Sequence, residues 1–302
     1  MKILKGWTYF AALLVAAALS RPTLALARLL LWPFKLTGGA LAPILGLISS
    51  MGTVVGLARR DWKMAGAGAV GAALAAQFLR DLPDSEPGFT AAFGQDWLQA
   101  IPASLRPKLA PHRWSLPAKR PGKAIWQRDL VYGHKAGTGA PLLADLWTPP
   151  PGVAPTGLAV VNVHGGAWRV GDKDLGTRFF FRRLAAQGHA VLDIAYSLWP
   201  EGDIPAMIAE VKEAVLWIKD NGRRYGVDPG RVVLMGGSAG AHLALLAAYT
   251  SEHPSLLPLS GQGDASVRGV VAFYPPADLL SLQGSGEGQA PEPDGTGVLG
   301  AL

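Results

Sequence analysis

Cysteine is absent from this 302-residue chain. Its absence excludes disulfides, thiolate metal sites, iron–sulfur clusters and a cysteine nucleophile, and leaves the redox compartment open. Charge is scarce too: Asp, Glu, Lys and Arg make up 17% of residues against 49% hydrophobic ones, with a mean hydropathy of +0.22. That balance is too apolar for an ordinary soluble domain and excludes a disordered chain. Acids are missing from one region in particular. Residues 1–80 hold nine Lys or Arg and a single acid, Asp61, whereas residues 81–302 carry 19 basic and 21 acidic side chains. The net charge of +6 therefore belongs to the N-terminal region. Positive charge flanking apolar segments follows the rule of membrane orientation, so no nucleic-acid partner is expected.

Leu36–Ala58 runs 23 residues without a charge, enough at about 1.5 Å per residue to cross about 30 Å of hydrocarbon, and it reads as a spanning helix. Beyond Arg59-Arg60-Asp61-Trp62-Lys63, Met64–Leu79 is a shorter second span rich in small residues. Gly6–Leu19, behind Lys2 and Lys5, suits a signal peptide with a cleavage site at Ala16-Ala17-Ala18 as well as a first membrane segment. Apolar character resumes from Leu24 to Phe34, which favours an uncleaved anchor. The plainer reading of all three runs is buried helices of a soluble core. Residues 1–80 are thus expected to be an all-α anchor of two to three transmembrane helices, with membrane lipid as a partner, in a multi-pass protein of a bacterial inner membrane. Three spans with Lys2, Lys5 and Arg59 to Lys63 cytoplasmic leave the rest extracytoplasmic. Arg21, Arg28 and Lys35 then fall on the unfavoured side, and an even number of spans reverses the answer.

Residues 81–124, with seven prolines, read as a connecting segment carrying one short helix around Thr90–Ala100. Residues 125–302 form the second domain, its tail Gly284–Gly300 a loop or disordered stretch. Strand-like runs at Leu142–Thr148, Gly157–Val163, Ala190–Ala195, Arg231–Met235 and Val267–Phe273 alternate with helical stretches at Gly176–Gln187, Ile204–Asn221 and Ala239–Thr250. This alternation implies an α/β fold, a mostly parallel sheet with helices on both faces, whose ligands bind at the carboxyl ends of the strands.

Two of those strand ends carry chemistry. Gly236-Gly237-Ser238-Ala239-Gly240 lies between a strand and a helix. A serine between small residues on such a turn can be held in a strained, projecting conformation, with the helix dipole aimed at a developing oxyanion. A structural turn or a phosphate loop is the competing reading. At the end of Gly157–Val163 stands His164-Gly165-Gly166-Ala167-Trp168, whose glycines free backbone N–H groups to point at a substrate oxygen.

These motifs, together with the stretch Asp193 to Glu201 and Gly226-Val227-Asp228-Pro229, resemble the α/β-hydrolase fold. The branch is that of carboxylesterases and lipases similar to hormone-sensitive lipase and the membrane-associated prenylcysteine methylesterases. The resemblance covers about residues 125 to 280. It implies Ser238 as nucleophile, Gly165, Gly166 and Ala239 as oxyanion donors, His164 as a residue shaping the loop and Trp168 as a wall of the substrate pocket. The expected substrate is a small-molecule or lipid-like ester.

The family order places an acid and then a histidine after the serine, but the last histidine here is His253, and none follows Asp264, Asp278 or Asp294. His242, one helical turn beyond Ser238, packs or hydrogen-bonds beneath the elbow more readily than it acts as base; His112, His134 and His189 lack motif context. Asp278 is expected to be structural or pocket-lining. The simplest expectation is an α/β-hydrolase domain incomplete at its C-terminus, with catalytic acid and base in a longer chain and this form inactive. Competing functions are an amidase, arylformamidase or peptidase on the same fold, or a non-catalytic membrane protein with a degenerate hydrolase domain used for binding. No cofactor is expected, and no metal site: His164 and His242 lack ligand partners at suitable spacing.

Overall fold

The computed structural model describes residues 2–22, 25–82, 86–103, 106, 122–277 and 279. His112, Asp278, Asp294, the tail Gly284–Gly300 and much of the expected connecting segment lie outside them. The chain divides into two compact units, Met1–Pro107 and Lys108–Leu302.

The first unit is helical: α1 (Lys2–Leu19), α2 (Ala25–Ala40), α3 (Ala42–Ala58), α4 (Trp62–Asp81) and the short α5 (Glu86–Phe93) and α6 (Trp97–Ala100). The one short helix expected around Thr90–Ala100 is thus a pair. Leu36–Ala58, expected as one spanning helix, is two: the end of α2 and all of α3 meet at 78° around Leu41. Pro43, at the start of α3, has no N–H for the carbonyl four residues back and its ring clashes there, so the α2 helix cannot run on. Among the described residues only α1 is by itself long and apolar enough to cross a membrane; the bent pair passes that test jointly, and α4 does not. Asp61 caps α4 by accepting from the Met64 N–H at 3.1 Å, and Lys5 of α1 pairs with it at 2.6 Å.

The second unit is a mixed sheet between helices. Its strands are β1 (Ile125–His134), β2 (Pro141–Thr148), β3 (Gly157–Val163), β4 (Ala190–Ile194), β5 (Val227–Gly237) and β6 (Gly269–Phe273), in the order β1-β2-β4-β3-β5-β6. The sheet is parallel from β4 through β3 and β5 to β6 and antiparallel at its β1–β2–β4 end. Residue alternation splits the core into two layers. Val161, Val163, Leu192, Ile194, Val232 and Leu234 face α8 (Ile204–Asn221) and α9 (Ala239–Tyr249); Val160, Val191 and Met235 face Phe181 and Ala185 of α7 (Arg178–Ala186). α8 forms where its sequence dictates: Asp203 accepts from the Ala206 N–H at 2.9 Å as N-cap, and Ile208, Val211, Val215 and Ile218 make one fully buried stripe.

β1 is the strand the apolar pattern misses. A bulge between Gln127 and Leu130 breaks its alternation, with Asp129 in the left-handed region at φ 55°.

Candidate active site

Ser238 sits between β5 and α9 with φ 54° and ψ −124°. A serine pays for such a conformation, and the surroundings leave it no other. A Cβ on Gly236 would lie 2.5 Å from the Gly240 carbonyl carbon, so only glycine lets the chain fold back so tightly. The Ser238 N–H donates to the Phe273 carbonyl at 2.9 Å, tying the turn to the end of β6. Ala239 opens α9, so its N–H belongs to the first turn, which has no intrahelical acceptor.

Packing brings the second motif to this turn. A Cβ on Gly165 would stand 2.8 Å from the Gly237 carbonyl oxygen and 3.4 Å from the Ser238 Cβ, so the backbone of Gly165 lies directly against the elbow. Gly166 has φ 133°, and a Cβ there would overlap the Val170 carbonyl oxygen at 1.7 Å. Ser238, Gly165, Gly166 and Ala239 therefore gather at the carboxyl ends of β3 and β5.

His164 is buried and shapes the loop. Its Nδ1 stands 2.7 Å from the Gly165 carbonyl oxygen, which can only accept, so Nδ1 carries a proton. The ring stacks on Tyr196 with centroids 4.4 Å apart, and the Tyr196 hydroxyl donates to the His164 carbonyl at 3.0 Å. Burial holds the His164 pKa below the usual value, so the ring is neutral.

Trp168, expected to wall a pocket, is 5% exposed and packs in the core, edge-on to His242 with centroids 5.4 Å apart. Burial also lowers the pKa of His242, whose Nδ1 has no partner among the described residues. The His242 N–H donates to the Ser238 carbonyl at 3.1 Å, as an ordinary helical turn requires.

Two carboxylates that no motif announces fix the loop after His164. Asp193 on β4 accepts from the Asn162 side chain at 2.7 Å and from the Asp174 N–H at 2.5 Å; burial raises its pKa to about 7. Beside it across the ladder, Asp145 on β2 pairs with Lys173 at 3.0 Å and accepts from the Trp126 indole at 2.9 Å. Lys173 and Asp174 lie just downstream of the glycine motif, so these two strand residues hold its far end. The available signal was an aspartate inside otherwise apolar strands, in Ala144-Asp145-Leu146 and Leu192-Asp193-Ile194. On the opposite face Glu210 of α8 accepts from both the N–H and hydroxyl of Ser197, at 2.6 and 2.7 Å, and anchors the segment after β4 that carries Tyr196. Among the described residues no group of His, Asp and Glu is arranged to hold a metal ion.

The family model described as BD-FAE matches residues 144–302, slightly more than half of the chain. The chain belongs to this family of α/β hydrolases. Esterase LipQ of Mycobacterium tuberculosis is 34% identical over 165 residues, covering 54% of this chain and 38% of that protein. The isoprenylcysteine alpha-carbonyl methylesterase of Arabidopsis thaliana is 34% identical over 123 residues, 40% of this chain and 27% of its own length. A crystal structure of esterase B from Lactobacillus rhamnosis superimposes with a TM-score of 0.45 at 28% identity, covering 66% of this chain and 60% of that one. The chain thus spans well under half the length of the curated relatives it matches. The resemblance read from the glycine–serine and histidine–glycine motifs is borne out at the level of family and fold.

Proposed function

We propose that this α/β hydrolase is a membrane-anchored serine hydrolase of carboxylic esters, acting through an acyl-enzyme on Ser238. The observation that carries the reading is the strained Ser238 elbow, with φ 54° and ψ −124°, packed against the backbone of Gly165. Such an elbow presents a hydroxyl at the dipole-positive end of α9. The Ser238 Oγ attacks the ester carbonyl carbon and gives its proton to a general base; the developing oxyanion is met by the N–H groups of Gly165, Gly166 and Ala239. The base returns the proton to the departing alkoxide, and water, activated by the same base, then cleaves the acyl-serine.

The base is read as a histidine that follows an acid, as the family order implies. His164 is engaged by the Gly165 carbonyl and Tyr196, and the His242 ring lies against Trp168. Trp168 is read as a wall of the substrate pocket, as the resemblance implies. Relatives named as esterases and methylesterases favour an ester substrate; an amide or formamide would meet the same oxyanion donors, and a substrate panel separates them. The basic, apolar N-terminal region favours an anchor, with the hydrolase domain leaning extracytoplasmic.

The test is hydrolysis of a soluble short-chain acyl ester by the full-length protein and its Ser238→Ala variant. Loss of turnover in the variant is expected. Equal turnover in both would remove Ser238 from the reaction, and no turnover by the parent would favour a non-catalytic binding role.

A further inference from the structure

The helical unit is built inside out. Where α1, α3 and α4 meet, the buried residues are mostly small or hydroxylic: Thr8, Ala11, Ala42, Ser49, Gly52, Gly56, Ala65, Gly68, Gly71 and Ala75. The contact is backbone-close, since a Cβ on Gly52 would lie 2.3 Å from the Thr8 hydroxyl and one on Gly68 2.5 Å from the Ser49 carbonyl oxygen. Leu14, Val15, Leu45 and Met64 are buried among them, but many other large apolar side chains of these helices point outward. Ile3, Leu13, Leu47 and Val54 are between 66% and 77% exposed. A unit folded in water would reverse this arrangement.

Two independent features agree. The hydroxyls of Thr8, Ser50 and Thr53 donate to the carbonyl four residues back in their own helix, at 2.8 to 3.1 Å, which satisfies them without water, while the buried Ser49 hydroxyl has no partner among the described residues. Charges are confined to the two ends. The Lys5–Asp61 pair brings the start of α1 to the α3–α4 turn, so Lys2, Arg59, Arg60 and Lys63 share that end; the stretches 6–20, 42–58 and 64–79 carry no charge. With 18, 17 and 20 residues in α1, α3 and α4, at about 1.5 Å each the helices measure about 26–30 Å, close to a hydrocarbon core of about 30 Å.

We propose that α1, α3 and α4 cross a lipid bilayer together as an inside-out bundle, with α2 lying across the membrane surface at the end opposite the Lys5–Asp61 pair. This rests on the anchoring reading above and specifies its arrangement. α2 leaves α3 at 78°, and its Lys35 donates to the Ser20 carbonyl at 2.6 Å, at the C-terminal end of α1. Arg21 and Lys35, which sit badly in a simple count of spans, then belong to a surface-lying segment where Lys and Arg meet headgroups.

These 302 residues hold no cysteine, which makes the test clean on this chain. Its single-cysteine variants Arg21→Cys, Arg60→Cys, Leu13→Cys, Leu47→Cys and Val70→Cys are expressed in membranes and treated with a membrane-impermeant maleimide in sealed vesicles of either orientation. Arg21→Cys and Arg60→Cys should label from opposite faces, and the other three only after detergent. Labelling of Arg21→Cys and Arg60→Cys from the same face would show α2 as an additional span and overturn the arrangement while the anchor stands. Labelling of Leu13→Cys, Leu47→Cys and Val70→Cys without detergent would overturn the bundle. Release of the protein from membranes by alkaline carbonate would instead overturn the anchoring reading, and this proposal with it.

Discussion

Gly240 and Val163 meet so closely that a methyl group on the glycine would stand 2.1 Å from the valine carbonyl oxygen. This contact seats the first turn of α9 on the end of β3, and so sets the serine elbow beside the glycines that follow His164. Both sides are backbone, and the His164 carbonyl oxygen would lie 2.5 Å from the same methyl, so neither strand nor helix can yield cheaply.

Gly240→Ala should therefore destabilise the protein by about 2 kcal/mol or more, as overpacking against fixed backbone does. The control is Gly230→Ala, where the nearest atom would be an ordinary 3.4 Å away, at Asp228. Chemical denaturation of both variants checks this; equal midpoints would show that the β3–α9 contact is soft.

Lys212 is completely buried on α8, and its ammonium donates to the carbonyls of Thr250 and Leu256, at and beyond the C-terminus of α9. Lys212→Met keeps the length of the side chain and strands two carbonyls, so a loss of about 2 kcal/mol is expected, with the helix dipole no longer answered by a cation. Unfolding of the variant within about 0.5 kcal/mol of the parent would contradict this.

Asp193 gives the fold a pH dependence of definite sign. Its carboxyl, desolvated and facing Asp145 and Asp174, titrates at about 7 in the folded chain, against about 4 when unfolded. Between those values the folded state holds one proton more, so stability falls by up to about 1.4 kcal/mol for each unit of rising pH from this group alone. The contribution is fully present below about pH 4 and lost above about pH 7. Stability curves from pH 4 to 8 should be flatter by about one proton in Asp193→Asn than in the parent; curves of equal slope would place the ionisation elsewhere.

The parts legible in the sequence are those governed by local pattern. The buried stripe of Ile208, Val211, Val215 and Ile218, with Asp203 ahead of it, placed α8 at Ile204–Asn221, as observed. The glycines around Ser238 announced a turn that only small residues can make. What stayed hidden depends on neighbours remote in sequence. β1 is interrupted by its bulge at Arg128 and Asp129 and completed only by pairing with β2. The break at Leu41 comes from a single proline inside a run whose hydropathy is otherwise continuous. The contact of Trp168 with His242 needs α9 folded back onto the loop after β3. The roles of Asp145 and Asp193 need the ladder that sets them side by side and the loop that reaches back to them.

Covalent labelling reads directly whether the Ser238 elbow is a working nucleophile site. Full-length protein treated with a fluorophosphonate and mapped by mass spectrometry should carry one adduct on the peptide containing Ser238, lost in Ser238→Ala and after unfolding. A folded protein that takes up no adduct there, or takes it up equally when unfolded, would show that the elbow does not activate Ser238.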